Sequence, residues 1–163
     1  MEHQTPRQDL ELLVFELAGV RYALQLSAVR EVVRAVLIAP LPDAPPVIEG
    51  IVDIRGELVP VYDLRLRFGL PPRALHPDER LVVAWTGSRL VSFRCERTEW
   101  VEHVALTRVE EGDVLPGSGR HIAGVARLDD GLVLIQQLEA FLDAAEAESL
   151  DEALSARAER NTE

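Results

Sequence analysis

Short apolar stretches, interrupted by turn-forming residues, recur along the chain. Several of them alternate between apolar and polar positions, which is the period of a half-buried strand, and no strand–helix alternation is visible. The pattern predicts strands over residues 10–17, 21–24, 31–38, 50–54, 58–62, 81–85, 89–95, 100–106, 122–128 and 132–136. Many short strands at regular spacing favour an all-β barrel or sandwich.

Residues 47–70 carry the densest pattern. Two of the apolar runs flank an Arg55-Gly56-Glu57 turn. Pro60 in the second run cannot donate a ladder hydrogen bond, so this run is expected to be an edge or bulged strand. A short helical turn should follow Asp63 and end at Gly69.

Helices are expected at only two further places. A short helix capped by Ser27 should run through Arg30. At the end of the chain, apolar residues recur with helical spacing and predict an amphipathic helix, through Leu138, Phe141, Leu142 and Ala145. Ser149 and Glu152 resemble a capping box, so a second short helix is expected to start there.

Length and composition predict one domain with a sizeable core, since the chain has 163 residues of which 47% are hydrophobic. No apolar run approaches the roughly 18 residues of a membrane span, and residues 1–9 lack the apolar stretch of a signal peptide. The single cysteine, Cys95, lies in an apolar run and is expected to be a small core residue. These features predict a cytoplasmic protein.

The formal charge is −11, and residues 139–163 contribute −6 of it through eight acids and two arginines. An acidic tail on a mildly acidic body argues against nucleic acid and anionic membranes as partners. All seventeen Lys and Arg residues are arginine. The absence of lysine excludes phosphate loops of the Walker type and Schiff-base chemistry.

The sequence offers no credible active site, and no enzyme, cofactor or metal is expected. The histidines are scattered, at His3, His76, His103 and His121, without the helical spacing of zinc proteases. The glycines around Ser118 precede a predicted strand and are expected to form a flexible loop. No serine occupies a G-x-S-x-G elbow.

The segment 47–70 resembles the pattern G-(I/V)-x-x-(L/I)-R-G-x-(L/V)-x-P-(V/I)-x-D-L-R-x-x-F-G of CheW-like domains, the adaptors of bacterial chemotaxis arrays. The matching residues are Gly50, Ile54-Arg55-Gly56, Pro60-Val61, Asp63-Leu64-Arg65 and Phe68-Gly69. The resemblance implies an all-β fold of two intertwined, SH3-like five-stranded barrels with a C-terminal helix. It assigns residues 9–143 to the CheW-like domain, between a flexible arm at 1–8 and an acidic helical tail at 144–163.

The resemblance also implies a function. The expected protein is a non-enzymatic adaptor that couples methyl-accepting chemoreceptors to a CheA-type histidine kinase at the inner membrane, without inserting into it. One face would bind the regulatory domain of the kinase, and a groove between the barrels would hold the receptor tip. The alternative is a divergent accessory protein that binds only receptor or only kinase, or that serves a non-flagellar pathway.

Five residues are predicted to contact partners: Arg55, Glu31, Val29, Val32 and Gly56. An arginine at the end of a strand can hold a carboxylate with both arms of its guanidinium. Glu31 matches the family pattern V-x-E-(I/V), and we predict that it pairs with Arg55, which leaves Arg55 as a structural ion pair, a partner contact or both. The two valines could be core residues or line the groove.

Other residues depart from the family or are expected in the core. Arg94 replaces an apolar residue of the middle strand, Ser92 a glycine, and Asp53 a common asparagine. Trp85 and Trp100 are expected to be core residues, with partial exposure at an interface as the alternative for Trp100. The altered strand implies a divergent second barrel.

Overall fold

The structure, a computed structural model, describes residues 9–111 and 122–161. Within these residues, strands form two sheets and are joined by short helices and turns. The strands are β1 (Asp9–Leu17), β2 (Val20–Gln25), β3 (Val29–Arg34), β4 (Ile48–Ile54), β5 (Glu57–Tyr62), β6 (Arg80–Trp85), β7 (Leu90–Cys95), β8 (Arg97–Ala105), β9 (Val109–Glu111), β10 (Ile122–Leu128) and β11 (Gly131–Gln136). The α-helices are α1 (Leu64–Arg67) and α2 (Ala144–Asn161), and single 3-10 turns span Leu26–Ala28, Leu106–Arg108 and Leu138–Ala140.

The two sheets are intertwined along the chain. The first has the order β8-β1-β2-β11-β10-β9 and combines both ends of the chain, whereas the second has the order β3-β6-β7-β5-β4 and uses the middle. Each contains one parallel contact, β2 with β11 and β5 with β7. The prediction of an all-β fold with a C-terminal helix is confirmed, although the first sheet has six strands where five were expected.

A shared core joins the two sheets. Phe15 and Tyr22 of the first sheet pack in one cluster with Tyr62 and Phe93 of the second, and the rings of Phe15 and Phe93 are 4.9 Å apart between centroids. Two smaller clusters lie apart from it, one formed by the first sheet and one by the second. Aromatic contacts across the sheets therefore make one folding unit of them.

Local turn chemistry explains the hairpins. The β4–β5 loop consists of Arg55 and Gly56, both in the left-handed region with φ of 54° and 87°, as a two-residue type I′ hairpin requires. The amide of Gly56 donates to Oδ1 of Asp53 at 2.7 Å. Asp53, the residue that departs from the family pattern, thus fastens the turn.

Strand β5 corrects the edge alternative predicted from Pro60, although its ladder with β4 does shift register beside Val61 and Tyr62. It is not an edge strand, because it lies between β4 and β7. The pairing with β7 covers only Val61 and Tyr62, so the ladder begins just after the proline. The carbonyl of Pro60 accepts a hydrogen bond from the buried hydroxyl of Ser92 at 3.2 Å. An interior strand tolerates proline here because no ladder bond to β7 is needed at that residue.

The pattern's first glycine, Gly50, is explained by close packing. A Cβ on Gly50 would lie 2.2 Å from the carbonyl oxygen of Ala39, far inside van der Waals contact. Ala39 lies in the proline-rich segment between β3 and β4. Its bridge with Ile51 lays this segment along β4. Only glycine allows this approach, and the bridge covers part of an otherwise open sheet edge.

The C-terminal helix corrects two further predictions. The capping box is formed by Asp143 and Glu146: Oδ1 of Asp143 accepts from the amide of Glu146 at 2.7 Å, and Oε1 of Glu146 accepts from the amide of Asp143 at 3.0 Å. The helix then continues through Ser149 without a new start, so the predicted second helix is wrong. Leu150 is fully buried in the shared core. None of the described helices is long and apolar enough to cross a membrane.

The predicted helix capped by Ser27 is wrong as well. The structure has a 3-10 turn over Leu26–Ala28 with no side-chain cap, and β3 begins directly after it. The sequence signal was misleading because Ser27 lies inside the turn rather than before it.

Candidate partner-binding surfaces

A bulge in β3 divides the predicted contact residues between two faces. The register with β6 shifts between Val29, which lies opposite Ala84, and Glu31, which lies opposite Val83. Val29 and Val32 are half-buried against the shared core, whereas Val83 belongs to the separate cluster of the second sheet. Because the bulge interrupts the alternation of side chains, the two valines lie on one face and Glu31 on the other.

The first surface contains the predicted ion pair. Nη2 of Arg55 lies 3.0 Å from Oε2 of Glu31, and the Arg55 side chain is 83% exposed while that of Glu31 is 20% exposed. Beside it, Arg30 and Glu57 approach to 3.6 Å. Arg55 and Glu31 therefore meet as predicted, and most of the guanidinium still faces solvent. Gly56 contributes its left-handed backbone to the turn, and the place that a Cβ on it would take has no neighbouring atom within 4 Å.

The second surface is a groove around Trp85. One cleft beside the indole, of about 420 Å³, is lined by Val29 and Leu90. A second cleft that Trp85 also lines, of about 380 Å³, includes Gln136 and Glu139 in its lining. The groove runs from the start of β3 to the end of β11, so both sheets contribute to it.

Trp85 corrects the expectation of a core residue, because it is 52% exposed. It is the last residue of β6, whose residues 81–84 are buried on both faces of the strand, so the indole is exposed because the strand ends there. Its hydrophobicity alone could not distinguish a core position from a groove wall. The side chain of Trp100 lies outside the described residues.

A buried arginine cluster was not predicted. Nε of Arg94 donates to both carboxylate oxygens of Glu49, at 2.9 and 3.1 Å. Its other nitrogens donate to Oε1 of Glu79 at 2.8 Å and to the carbonyl of Arg73 at 2.8 Å. The side chains of Arg94 and Glu79 are 10% and 2% exposed. The departure of Arg94 from the family pattern was the one signal that could have revealed the cluster.

Burial and ion pairing act against each other in this cluster: desolvation acts to lower the pKa of Arg94, but pairing with Glu49 and Glu79 outweighs it and raises that pKa. Desolvation raises the pKa of Glu49, although its hydrogen bond to Arg94 and the charge of Arg94 act in the opposite direction. Burial also raises the pKa of the neighbouring Cys95 thiol to about 12. Cys95 is fully buried, which confirms it as a core residue without nucleophilic character at neutral pH.

The second arginine of the family pattern, Arg65, is structural. It is 8% exposed, pairs with Glu96 and donates to the carbonyl of Pro71 at 3.1 Å. Burial alone would raise the pKa of Glu96, but the amide of Ala18 and nearby guanidinium groups outweigh it and lower that pKa. The two arginines of one motif thus differ: Arg65 is enclosed and Arg55 is free to face a partner.

In the part of the chain that the structure describes, neither a metal-binding group nor the predicted contact residues indicate a third surface. Among the described residues, no group of three or more His, Cys, Asp and Glu could hold a metal ion. A larger cleft, of about 990 Å³, lies at the far end of the first sheet between β8 and the β10–β11 turn. It contains none of the predicted contact residues. The predicted loop around Ser118, together with His3 and His121, lies outside the described residues.

Comparison with known proteins agrees with the fold. Residues 11–146 match the family model described as CheW-like domain. The chain is 33% identical over 128 residues to Protein FrzA of Myxococcus xanthus, covering 74% of this chain and 76% of that protein. It is 24% identical over 134 residues to the chemotaxis protein CheW of Helicobacter pylori, covering 82% and 81%.

A solved structure supports the same family. The crystal structure of the scaffolding protein TtCheW from Thermoanaerobacter tengcongensis is 27% identical, with a TM-score of 0.77 over 85% of this chain and 95% of that one. The family match includes the domain that carries both surfaces described above. The chain therefore belongs to the CheW-like family of chemotaxis adaptors.

Proposed function

We propose that this protein couples methyl-accepting chemoreceptors to a CheA-type histidine kinase in the cytoplasm, at the receptor array. The observations that carry the proposal are the exposed ion pair of Arg55 with Glu31 and a groove around Trp85 whose lining contains neither residue of that pair. An adaptor needs two binding surfaces, and the ion pair and the groove are the two that we propose.

The groove suits the tip of a receptor hairpin. An amphipathic helix binds by laying apolar side chains into a hydrophobic groove, and Val29, Leu90 and the half-exposed Trp85 line such a groove here. The exposed Arg55 face suits a polar contact with the regulatory domain of the kinase, because a guanidinium can bind a carboxylate with two parallel hydrogen bonds.

Coupling requires no chemical step by the adaptor. If its contacts differ between the active and inactive arrangements of the kinase, it shifts their populations by that difference in binding free energy. Coupling free energies of about 1–3 kcal/mol are typical of such linkage. Two moderate interfaces are sufficient for this role.

The test is binding of the purified protein to the regulatory domain of a CheA kinase from the same organism. We expect dissociation constants in the micromolar range or below, and weaker binding by Arg55→Ala. Arg55→Lys is the matched control, because it keeps the charge and loses the fork. Absence of binding at tens of micromolar by folded protein would contradict the coupling function and favour an accessory protein that binds only receptors.

A further inference from the structure

We propose that Asp53 is a positioning residue for the partner contact of Arg55. Its hydrogen bond within the β4–β5 turn holds the Arg55 backbone in the conformation that directs the guanidinium toward Glu31 and toward a carboxylate of the partner. The inference rests on the proposed function for the identity of that partner. The geometry of the turn belongs to the free protein and can be tested without any partner.

The backbone of Arg55 has a conformation that its side chain does not favour. Its φ is 54°, in the left-handed region where the Cβ of most residues crowds the following carbonyl oxygen. Glycine and asparagine adopt this region readily, whereas a residue such as arginine stays there only where the surrounding structure holds it. Strain of this kind is common at binding sites, and it requires a specific contact that keeps Arg55 in place.

The carboxylate of Asp53 supplies that contact. The β4–β5 ladder pairs Ile54 with Glu57, so the amide of Gly56 lies inside the turn without a ladder partner. It donates instead to Oδ1 of Asp53 at 2.7 Å. This amide belongs to the planar peptide group that directly follows the Cα of Arg55, so its hydrogen bond fixes the ψ angle of Arg55. Asp53 thus controls the direction of the Arg55 side chain through the backbone.

The direction matters because the turn connects the two edges of the second sheet. Strands β3 and β4 are its edge strands, and two ion pairs join the turn to β3. One is that of Arg55 with Glu31 at 3.0 Å, and the other is that of Glu57 with Arg30 at 3.6 Å. An exposed guanidinium is preorganised only if its backbone is fixed, and preorganisation lowers the cost of ordering it when a partner binds.

The turn requires an acceptor at residue 53, not a charge. Asparagine offers a carbonyl acceptor in the same place as the carboxylate of Asp53, whereas alanine offers none. The negative charge that faces Arg55 comes from Glu31. We therefore expect Asp53→Asn to keep the direction of Arg55 and Asp53→Ala to release it.

The first experiment uses the full-length, ¹⁵N-labelled protein without a partner. Its readout is the Nε–H signal of Arg55, assigned with Arg55→Lys and recorded at low temperature, where exchange with water is slow. Glu31→Gln should shift this signal in the wild-type and Asp53→Asn backgrounds, because the ion pair is formed in both. In the Asp53→Ala background it should leave the signal nearly unchanged. An equal shift in all three backgrounds would overturn the inference.

The second experiment measures binding to the regulatory domain of the kinase, with urea denaturation to verify that each variant is folded. Loss of one hydrogen bond in Asp53→Ala should weaken binding by about fivefold, and Asp53→Asn should bind within about twofold of the wild type. Asp53→Ala should cause no further loss when it is added to Arg55→Ala, because it acts through that side chain. The control is Asp78→Ala, the same substitution at a side chain that is 90% exposed, which should not change the affinity.

Additive losses in the double variant would overturn the inference, because they would show that Asp53 contacts the partner directly. Equal weakening by Asp53→Asn and Asp53→Ala would overturn it as well, since charge rather than the turn would then be responsible. If the kinase domain binds no variant and not the wild type either, the proposed function fails. The shift of the Arg55 signal then still decides the role of Asp53.

Discussion

Two arginines of the second sheet show how burial decides what an ion pair does. Arg94 is enclosed with Glu49 and Glu79 and uses three nitrogens on protein acceptors. Arg55 meets Glu31 at 3.0 Å with 83% of its side chain exposed. In the interior, such contacts offset the cost of desolvating the charges, whereas at the surface water and salt weaken them. The first pair belongs to the architecture, and the second is available to a partner.

The largest effect is expected from removing the buried arginine. Arg94→Ala leaves Glu49 and Glu79 without their cation, and we expect a loss of about 3–5 kcal/mol in the free energy of unfolding. Urea denaturation measures it, with Arg55→Ala as the control that should cost less than about 1 kcal/mol. Similar losses in the two variants would remove the distinction between the clusters.

Replacing all three charged side chains of the Arg94 cluster tests whether unpaired charge causes the loss of stability in Arg94→Ala. The triple variant Arg94→Met, Glu49→Gln, Glu79→Gln should recover at least half of the stability lost in Arg94→Ala, because no uncompensated charge remains. Oε1 of a glutamine at 79 can still accept from the amide of His76, as Glu79 does at 2.7 Å. A triple variant as unstable as Arg94→Ala would show that the loss arises from packing rather than from charge.

A smaller effect is expected on the pH dependence of stability. Burial raises the pKa of Glu49 above its ordinary value of 4.5, so the folded protein holds this proton more tightly than the unfolded chain. Between pH 4.5 and the pKa of Glu49 in the folded protein, the free energy of unfolding therefore falls as pH rises. The fall is at most about 1.4 kcal/mol per pH unit. Glu49→Gln should remove this slope from unfolding curves measured between the two pKa values, and Glu148→Gln should leave it. An unchanged slope in Glu49→Gln would show that other groups carry it.

The smallest effect on stability is expected from the exposed ion pair of Glu31 with Arg55. A double-mutant cycle of Glu31→Ala and Arg55→Ala should give a coupling below about 1 kcal/mol in stability, decreasing in 1 M NaCl. A coupling of several kcal/mol, insensitive to salt, would place this pair in the same class as the Arg94 cluster.

The sequence predicted what local chemistry controls. The β4–β5 hairpin and helix α1 follow from Arg55-Gly56 and from Asp63, whose carboxylate accepts from the amide of Leu66 at 3.0 Å. These signals lie within a few residues of the structures they specify. The meeting of Glu31 and Arg55 needed the family resemblance, because the two residues are distant along the chain.

What was missed depends on contacts between distant segments. The bulge at β3 is set by its pairing with β6, and no local pattern of the chain shows it. Glu79 lies between the predicted strands 58–62 and 81–85, where no local pattern indicates burial, but it is 1% exposed because Arg94 from another strand neutralises it. Trp85 was misplaced because a strand end can direct a large side chain inward or outward, and only the tertiary fold decides.

The most direct test compares Arg55→Ala with Trp85→Ala in binding to both partners, the regulatory domain of the kinase and a receptor-tip hairpin. Separate surfaces predict a crossover: Arg55→Ala weakens binding of the kinase domain and spares the receptor, and Trp85→Ala does the reverse. If both folded variants weaken binding of the same partner alone, or if neither changes either affinity, the ion pair and the Trp85 groove do not serve two partners.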